Sequence, residues 1–309
     1  MKILAIVLAS LIVLAILAMV ALSAYLITVI TKPKGLTRLT YDQASAWVSG
    51  NAKEDMLSWH DSAKKEPFTL SSQGIDLACE YIPADTKKCL IRVHGYSQNM
   101  MLSVAYARAF HNESYSVIVY DQRAFGKSGG DVCTVGIKEP TDLLEVVKWA
   151  RSKLGEDVFI GLHGESMGAM VALEAASMDG GIGFVIADSA PDSALTMFSE
   201  TDMHPLPAGP TRFFTRLVGK AMGFDFSEAS PISHLDKVTA PVMFIHGEAD
   251  TTVPIRSSKD MFAKANGRPW RLSTYPNAKH GWSIVLDTKR YEREEIEFAR
   301  EAEALKGLR

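Results

Sequence analysis

Five consecutive residues, Gly164, Glu165, Ser166, Met167 and Gly168, concentrate the chemistry open to this chain. A serine hydroxyl is a weak nucleophile until a neighbouring base takes its proton, after which it can attack a carbonyl carbon. A short apolar run, Val158 to Leu162, precedes the five residues, and a helix-like stretch, Ala169 to Ala176, follows them. Strand, sharp turn and helix in that order is the context in which G-x-S-x-G becomes a nucleophile elbow, holding the serine strained and exposed. The two glycines would leave room for close strand and helix packing, where a Cβ would crowd the turn. The pattern alone is short, so partners elsewhere in the chain must decide its meaning.

The elements that would position those partners are legible as apolar runs. Leu90 to Val93, Val117 to Tyr120, Val158 to Leu162, Phe184 to Ala187 and Val242 to Ile245 are separated by helix-length segments, the alternation of a doubly wound parallel sheet. Phe68 to Leu70 and Ile75 to Ile82 read as strands joined by a hairpin turn at Ser72, Gln73 and Gly74. Helical spacing links Leu102, Ala105, Tyr106 and Ala109, and links Leu143, Leu144, Val147, Ala150 and Leu154 behind Pro140. A charged final helix over 287–309 carries Tyr291, Phe298, Ala302 and Leu305 on one face.

In open α/β sheets, sites form at the carboxyl ends of the strands. His94, Gly95 and Tyr96 end one strand, Asp121 to Gly126 another, Ser166 a third, Asp188 a fourth, and His246 to Asp250 a fifth. His280 and Gly281 follow a further strand, Leu272 to Tyr275. With these motifs in this order, the chain from about Phe68 onward resembles the α/β-hydrolase superfamily of serine hydrolases. The loop from Asp121 to Ser128 departs from the family's D-x-R-G-x-G-x-S pattern, with Ala124 at its first glycine.

The resemblance implies a catalytic Ser166, Asp250 and His280 in the chain order of that fold. His280 would take the serine proton and return it to the leaving group, while Asp250 would orient the imidazole. The resemblance also assigns the oxyanion hole to the backbone N–H groups of Tyr96 and Met167. Asp188 and Glu248 are the rival acids. His94, His163 and His246 read as structural, and His60, His111, His204 and His234 as exposed or capping. Glu165 and Arg123 read as hydrogen-bonding supports, while Arg92 inside a central strand has no account.

Composition narrows the class. With 47% hydrophobic and 22% charged residues and a net charge of −3, the 309-residue chain shows no electrostatic footprint for nucleic acid. Cys79, Cys89 and Cys133 have neither disulfide nor zinc spacing. Gly126, Lys127 and Ser128 lack the first glycine of a phosphate loop, because position 121 is Asp. The expected reaction needs no cofactor and no metal.

From Ile3 to Ile30 there is no charged residue, a reach of roughly 42 Å against the ~30 Å hydrocarbon core. An uncleaved single-pass anchor is preferred over a secretory signal, since Ala21 to Ala24 imitates a cleavage site poorly. Tyr25 would lie near the interface, with Lys32, Lys34 and Arg38 just outside and the side of the membrane left open.

The expected organisation is an anchor at 1–31, a connector at 32–67 and an α/β-hydrolase catalytic domain at 68–309. Connector residues Ala44, Trp47, Val48, Met56, Leu57 and Trp59 would pack on that domain or rest on the bilayer. A small helical cap at about 190–235 carries Met197, Phe198, Phe213, Phe214, Leu217, Met222, Phe224 and Phe226, a series broken by Pro205, Pro207, Gly209 and Pro210. These would line an apolar acyl pocket or simply pack on one another. The expected substrate is a small-molecule carboxylic ester with an apolar acyl group. A peptidase or acyltransferase with the same triad, and a non-catalytic tethered binding protein, are the alternatives.

Overall fold

In the computed structural model, residues 2–33, 40–48, 50, 54–200 and 207–308 are described. Lys34, Arg38, His204 and Pro205, named above, lie outside them. The chain opens with helix α1 (Lys2–Thr31) and two connector helices, α2 (Tyr41–Trp47) and α3 (Glu54–Ser62). Strands β1 (Glu66–Ser72) and β2 (Ile75–Ile82) form an antiparallel hairpin. Gln73 and Gly74 turn it with φ of 48° and 79°, the two positive values that a tight hairpin turn requires.

The rest alternates: β3 (Lys88–Val93), α4 (Met100–Ser103), α5 (Arg108–Asn112), β4 (Ser116–Tyr120), α6 (Glu139–Leu154), β5 (Phe159–Glu165), α7 (Met167–Met178) and β6 (Phe184–Asp188). Among the described residues, helices α8 (Ala194–Ser199), α9 (Ala208–Ala221) and α10 (Pro231–His234) stand between β6 and β7 (Val242–Gly247). The chain closes with α11 (Arg256–Ala263), β8 (Arg271–Tyr275), α12 (Ser283–Leu286) and α13 (Thr288–Leu305).

The eight strands lie in the order β1-β2-β4-β3-β5-β6-β7-β8, antiparallel at β1, β2 and β4 and parallel from there on. This is the α/β-hydrolase fold. The parallel strands read as apolar runs because both faces of the sheet are covered. Along β3, Cys89, Ile91 and Val93 join one buried cluster with α6 and α7, while Leu90 joins the other with α13. Ala44, Val48 and Met56 are fully buried in that second cluster, so the described connector helices pack on the sheet.

Three expectations need correction. The single helix over 102–109 is instead α4, a 3₁₀ turn at Val104–Tyr106 and α5. Residues 102–106 are all buried there, so packing on every side replaces the amphipathic stripe that would keep one straight helix. Leu305, the last residue of α13, is exposed. His60 is buried rather than exposed, with Nε2 2.6 Å from Glu80 Oε1. Arg92, fully buried in β3, places its guanidinium 4.2 Å from the centre of the Tyr106 ring, a cation–π contact that offsets part of its burial.

Candidate active site

Ser166 sits between the end of β5 and the first residue of α7 with φ 55° and ψ −122°, a conformation L residues rarely adopt. The glycines around it make the turn sterically feasible. A Cβ on Gly164 would lie 2.2 Å from the Gly168 carbonyl oxygen, and one on Gly168 would lie 2.1 Å from the Val93 carbonyl oxygen. Both contacts are with backbone, which cannot swing aside. Ser166 N–H donates to the Asp188 carbonyl at 2.8 Å, pinning the turn to β6. Gly168→Ala is therefore expected to lower stability by about 3 kcal/mol or more, read from the urea midpoint at unchanged m-value.

Two loops bring the polar groups to this turn. The loop after β8 carries His280, whose Nε2 lies 2.8 Å from Ser166 Oγ and whose Nδ1 lies 2.8 Å from Asp250 Oδ2. Asp250 follows β7 and is itself fixed, since Oδ1 accepts the N–H groups of Thr252 and Val253, each at 2.9 Å. His246 Nε2 adds a contact to Asp250 Oδ2 at 3.2 Å. Burial alone would raise the Asp250 carboxyl; hydrogen bonds from His246 and His280 override it and hold the group well below the usual carboxylate range. Burial would lower His280, but the hydrogen bond and charge of Asp250, helped by Glu165 and Asp188, lift it above the ordinary imidazole value.

The rival acids are placed elsewhere. Asp188 is buried and accepts from Tyr291 Oη at 2.8 Å and Ser189 Oγ at 2.9 Å. Glu248 is exposed and accepts from Thr274 Oγ1 at 2.7 Å.

Tyr96 lies in the loop after β3 and shares with Ser166 and His280 the wall of a cavity of about 340 Å³. Met167 opens α7, and the first N–H groups of a helix have no acceptor within it. Gln98 fixes the Tyr96 loop to the elbow: its Oε1 accepts Gly95 N–H at 2.8 Å and its Nε2 donates to Glu165 Oε2 at 2.6 Å. Gln98 and the Asp250-holding role of His246 are absent from the sequence reading. His246 stands four residues before Asp250, a spacing that could have signalled the pair.

Arg123 makes two hydrogen bonds to Asp142, at 2.6 and 2.8 Å, as a support of its loop. Ala124 keeps the left-handed backbone of the glycine it replaces, with φ 65°. Of the apolar residues between β6 and β7, Met197 reaches the cavity, whereas the buried Phe198 and Phe226 rings pack on each other at 4.6 Å.

Comparison with known proteins places the chain among serine hydrolases of this fold. The prolyl oligopeptidase family profile matches residues 133–304, and that of the X-Pro dipeptidyl-peptidase S15 family matches 36–216. The chain is similar to protein YqkD of Bacillus subtilis, 32% identical over 79% of this chain and 82% of the relative. Among solved structures it is similar to the Pyrococcus furiosus esterase Pf2001, with 25% identity, a TM-score of 0.67, and coverage of 80% of this chain and 94% of the esterase. Pyrococcus horikoshii acylaminoacyl peptidase shares the fold at 18% identity and a TM-score of 0.60, over 80% of this chain and 43% of that protein.

Proposed function

This chain belongs to the α/β-hydrolase superfamily of serine hydrolases, and from that premise we propose that it cleaves carboxylic esters of small molecules through an acyl-enzyme on Ser166. The observation that carries the reading is the continuous contact from Ser166 Oγ through His280 to Asp250, 2.8 Å at each step. Ser166 Oγ attacks the ester carbonyl carbon as His280 Nε2 takes its proton, giving a tetrahedral oxyanion. The backbone N–H groups of Tyr96 and Met167 stabilise that oxygen. Collapse breaks the bond to the alkoxy group, which leaves with the proton returned by His280. Water, deprotonated by the same imidazole, then attacks the acyl-enzyme and releases the carboxylic acid.

An ester is favoured over a peptide because the likeness to the Pf2001 esterase spans nearly all of that protein, whereas it spans less than half of the acylaminoacyl peptidase. The peptidase family matches favour a second reading, amide cleavage by the same residues. A fluorophosphonate probe labelling Ser166, combined with paired esters and amides of one acyl group, tests both; a folded protein in which Ser166 stays unlabelled sinks the nucleophile assignment.

The same reading keeps an anchor at 1–31, a connector at 32–67 and a catalytic domain at 68–309 with a cap at about 190–235. Single-pass anchoring is supported by α1, whose apolar residues from Ile3 to Leu17 stand exposed.

A base must be neutral to accept the serine proton, so activity is lost as pH falls through the His280 pKa. Because that pKa is raised, the acidic limb of kcat/KM should lie above the ~6.5 of an ordinary imidazole. Glu165→Gln removes one charge that raises it and should move the limb to lower pH. A pH–rate profile on a soluble ester checks both, and a limb at or below the ordinary value contradicts the assignment.

A further inference from the structure

Helix α1 does not end as a free tether. Its outer part is exposed, but Ser23, Ile27 and Thr31 are buried, and Ile27 belongs to the same buried cluster as Phe125, Met167 and Met170. The last carbonyls of a helix lack partners within it. Here the catalytic unit supplies them: Tyr96 Oη donates to the Ile30 carbonyl at 3.1 Å, and Cys133 N–H donates to the Thr31 carbonyl at 2.8 Å. The first of these donors is the side chain of the residue whose backbone N–H is assigned to the oxyanion hole. With its end held from two loops, α1 places Ile30 in the wall of the cavity that contains Ser166 and His280. Met197 of α8 and Trp282, after His280, also line that cavity.

We propose that Ile30, at the end of the membrane-type helix, is a wall of the acyl-chain subsite and sets the length of acyl chain the enzyme accepts. This rests on the ester reading above. A branched side chain on a helix end fastened by Tyr96 and Cys133 cannot recoil, so an acyl chain meets it as a fixed stop. The specificity of the site is then written partly outside the hydrolase core, in the segment that composition marks only as lipid-facing. One methylene of room in an apolar pocket changes discrimination by roughly tenfold or more.

The test uses the full chain in detergent micelles with nitrophenyl esters of acetyl, butyryl, octanoyl and decanoyl groups. Ile30→Ala is expected to raise the decanoyl-to-acetyl ratio of kcat/KM about tenfold, and Ile30→Phe to lower it about tenfold. Fluorophosphonate labelling of Ser166 in each variant confirms an intact site. A general folding defect depresses all esters together, so opposite shifts of the ratio support a wall. Unchanged ratios in active, labelled variants overturn the Ile30 assignment alone. A wild-type protein inert on every ester overturns the ester reading and the subsite with it.

Discussion

Ser166→Ala is expected to lower kcat/KM for ester hydrolysis by at least ~10⁴-fold while leaving the protein folded. The substitution removes only Oγ, which in this structure contacts His280 Nε2 at 2.8 Å. The backbone of the turn, held by the Asp188 carbonyl and by two glycines in contact with main chain, does not depend on that atom. What is lost is the covalent route, since among the described residues no other hydroxyl stands in this contact with His280. Binding and the two backbone donors remain, so catalysis above the rate in water would persist at a low level. His280→Ala should cost a similar factor, and the double variant little more, because residues that act as one unit give non-additive losses. Steady-state kinetics on a soluble ester, paired with urea unfolding, measures both quantities. A residual activity within tenfold of wild type would assign the nucleophile elsewhere.

The sheet was legible because its central strands are buried on both faces and therefore appear as unbroken apolar runs such as Val117 to Tyr120. The candidate site was legible in part because Ser166, Asp250 and His280 each follow one of the strand runs, and the structure brings Ser166 and Asp250 each within hydrogen-bond distance of His280. Contacts that close over long sequence distances were not. His60 meets Glu80 from a neighbouring strand, and Arg92 is accommodated by the Tyr106 ring on a separate turn, neither of which leaves a local pattern. The limit was sharpest in α1. Lipid tails and a protein interior select the same side chains, so Ile3 to Ile30 reads as one uniform segment. Only packing reveals that Leu17 is exposed while Ile27 is buried beside the elbow.

Asp250→Asn should reduce kcat about 10⁴-fold with little loss of structure, and it separates the three candidate acids. Asp250 Oδ1 accepts two backbone N–H groups, and Oδ2 faces the ring nitrogens of His280 and His246 at 2.8 and 3.2 Å. An asparagine that keeps its oxygen on the backbone donors turns its NH₂ toward both rings. Two donors then face each other across the His280 contact, and the imidazole relieves this by moving its proton to Nε2. In that tautomer Nε2 donates and cannot take the proton of Ser166. The raised His280 pKa, which depends chiefly on Asp250 once burial is overcome, should fall with it. Glu248→Gln, exposed and paired with Thr274, should leave kcat within about twofold. Asp188→Asn disturbs the bonds from Tyr291 and Ser189 beneath the elbow, so its effect should appear in stability more than in kcat. A ranking in which Asp188→Asn costs the most activity would transfer the orienting role to β6, whereas the geometry around His280 Nδ1 expects Asp250→Asn to cost the most.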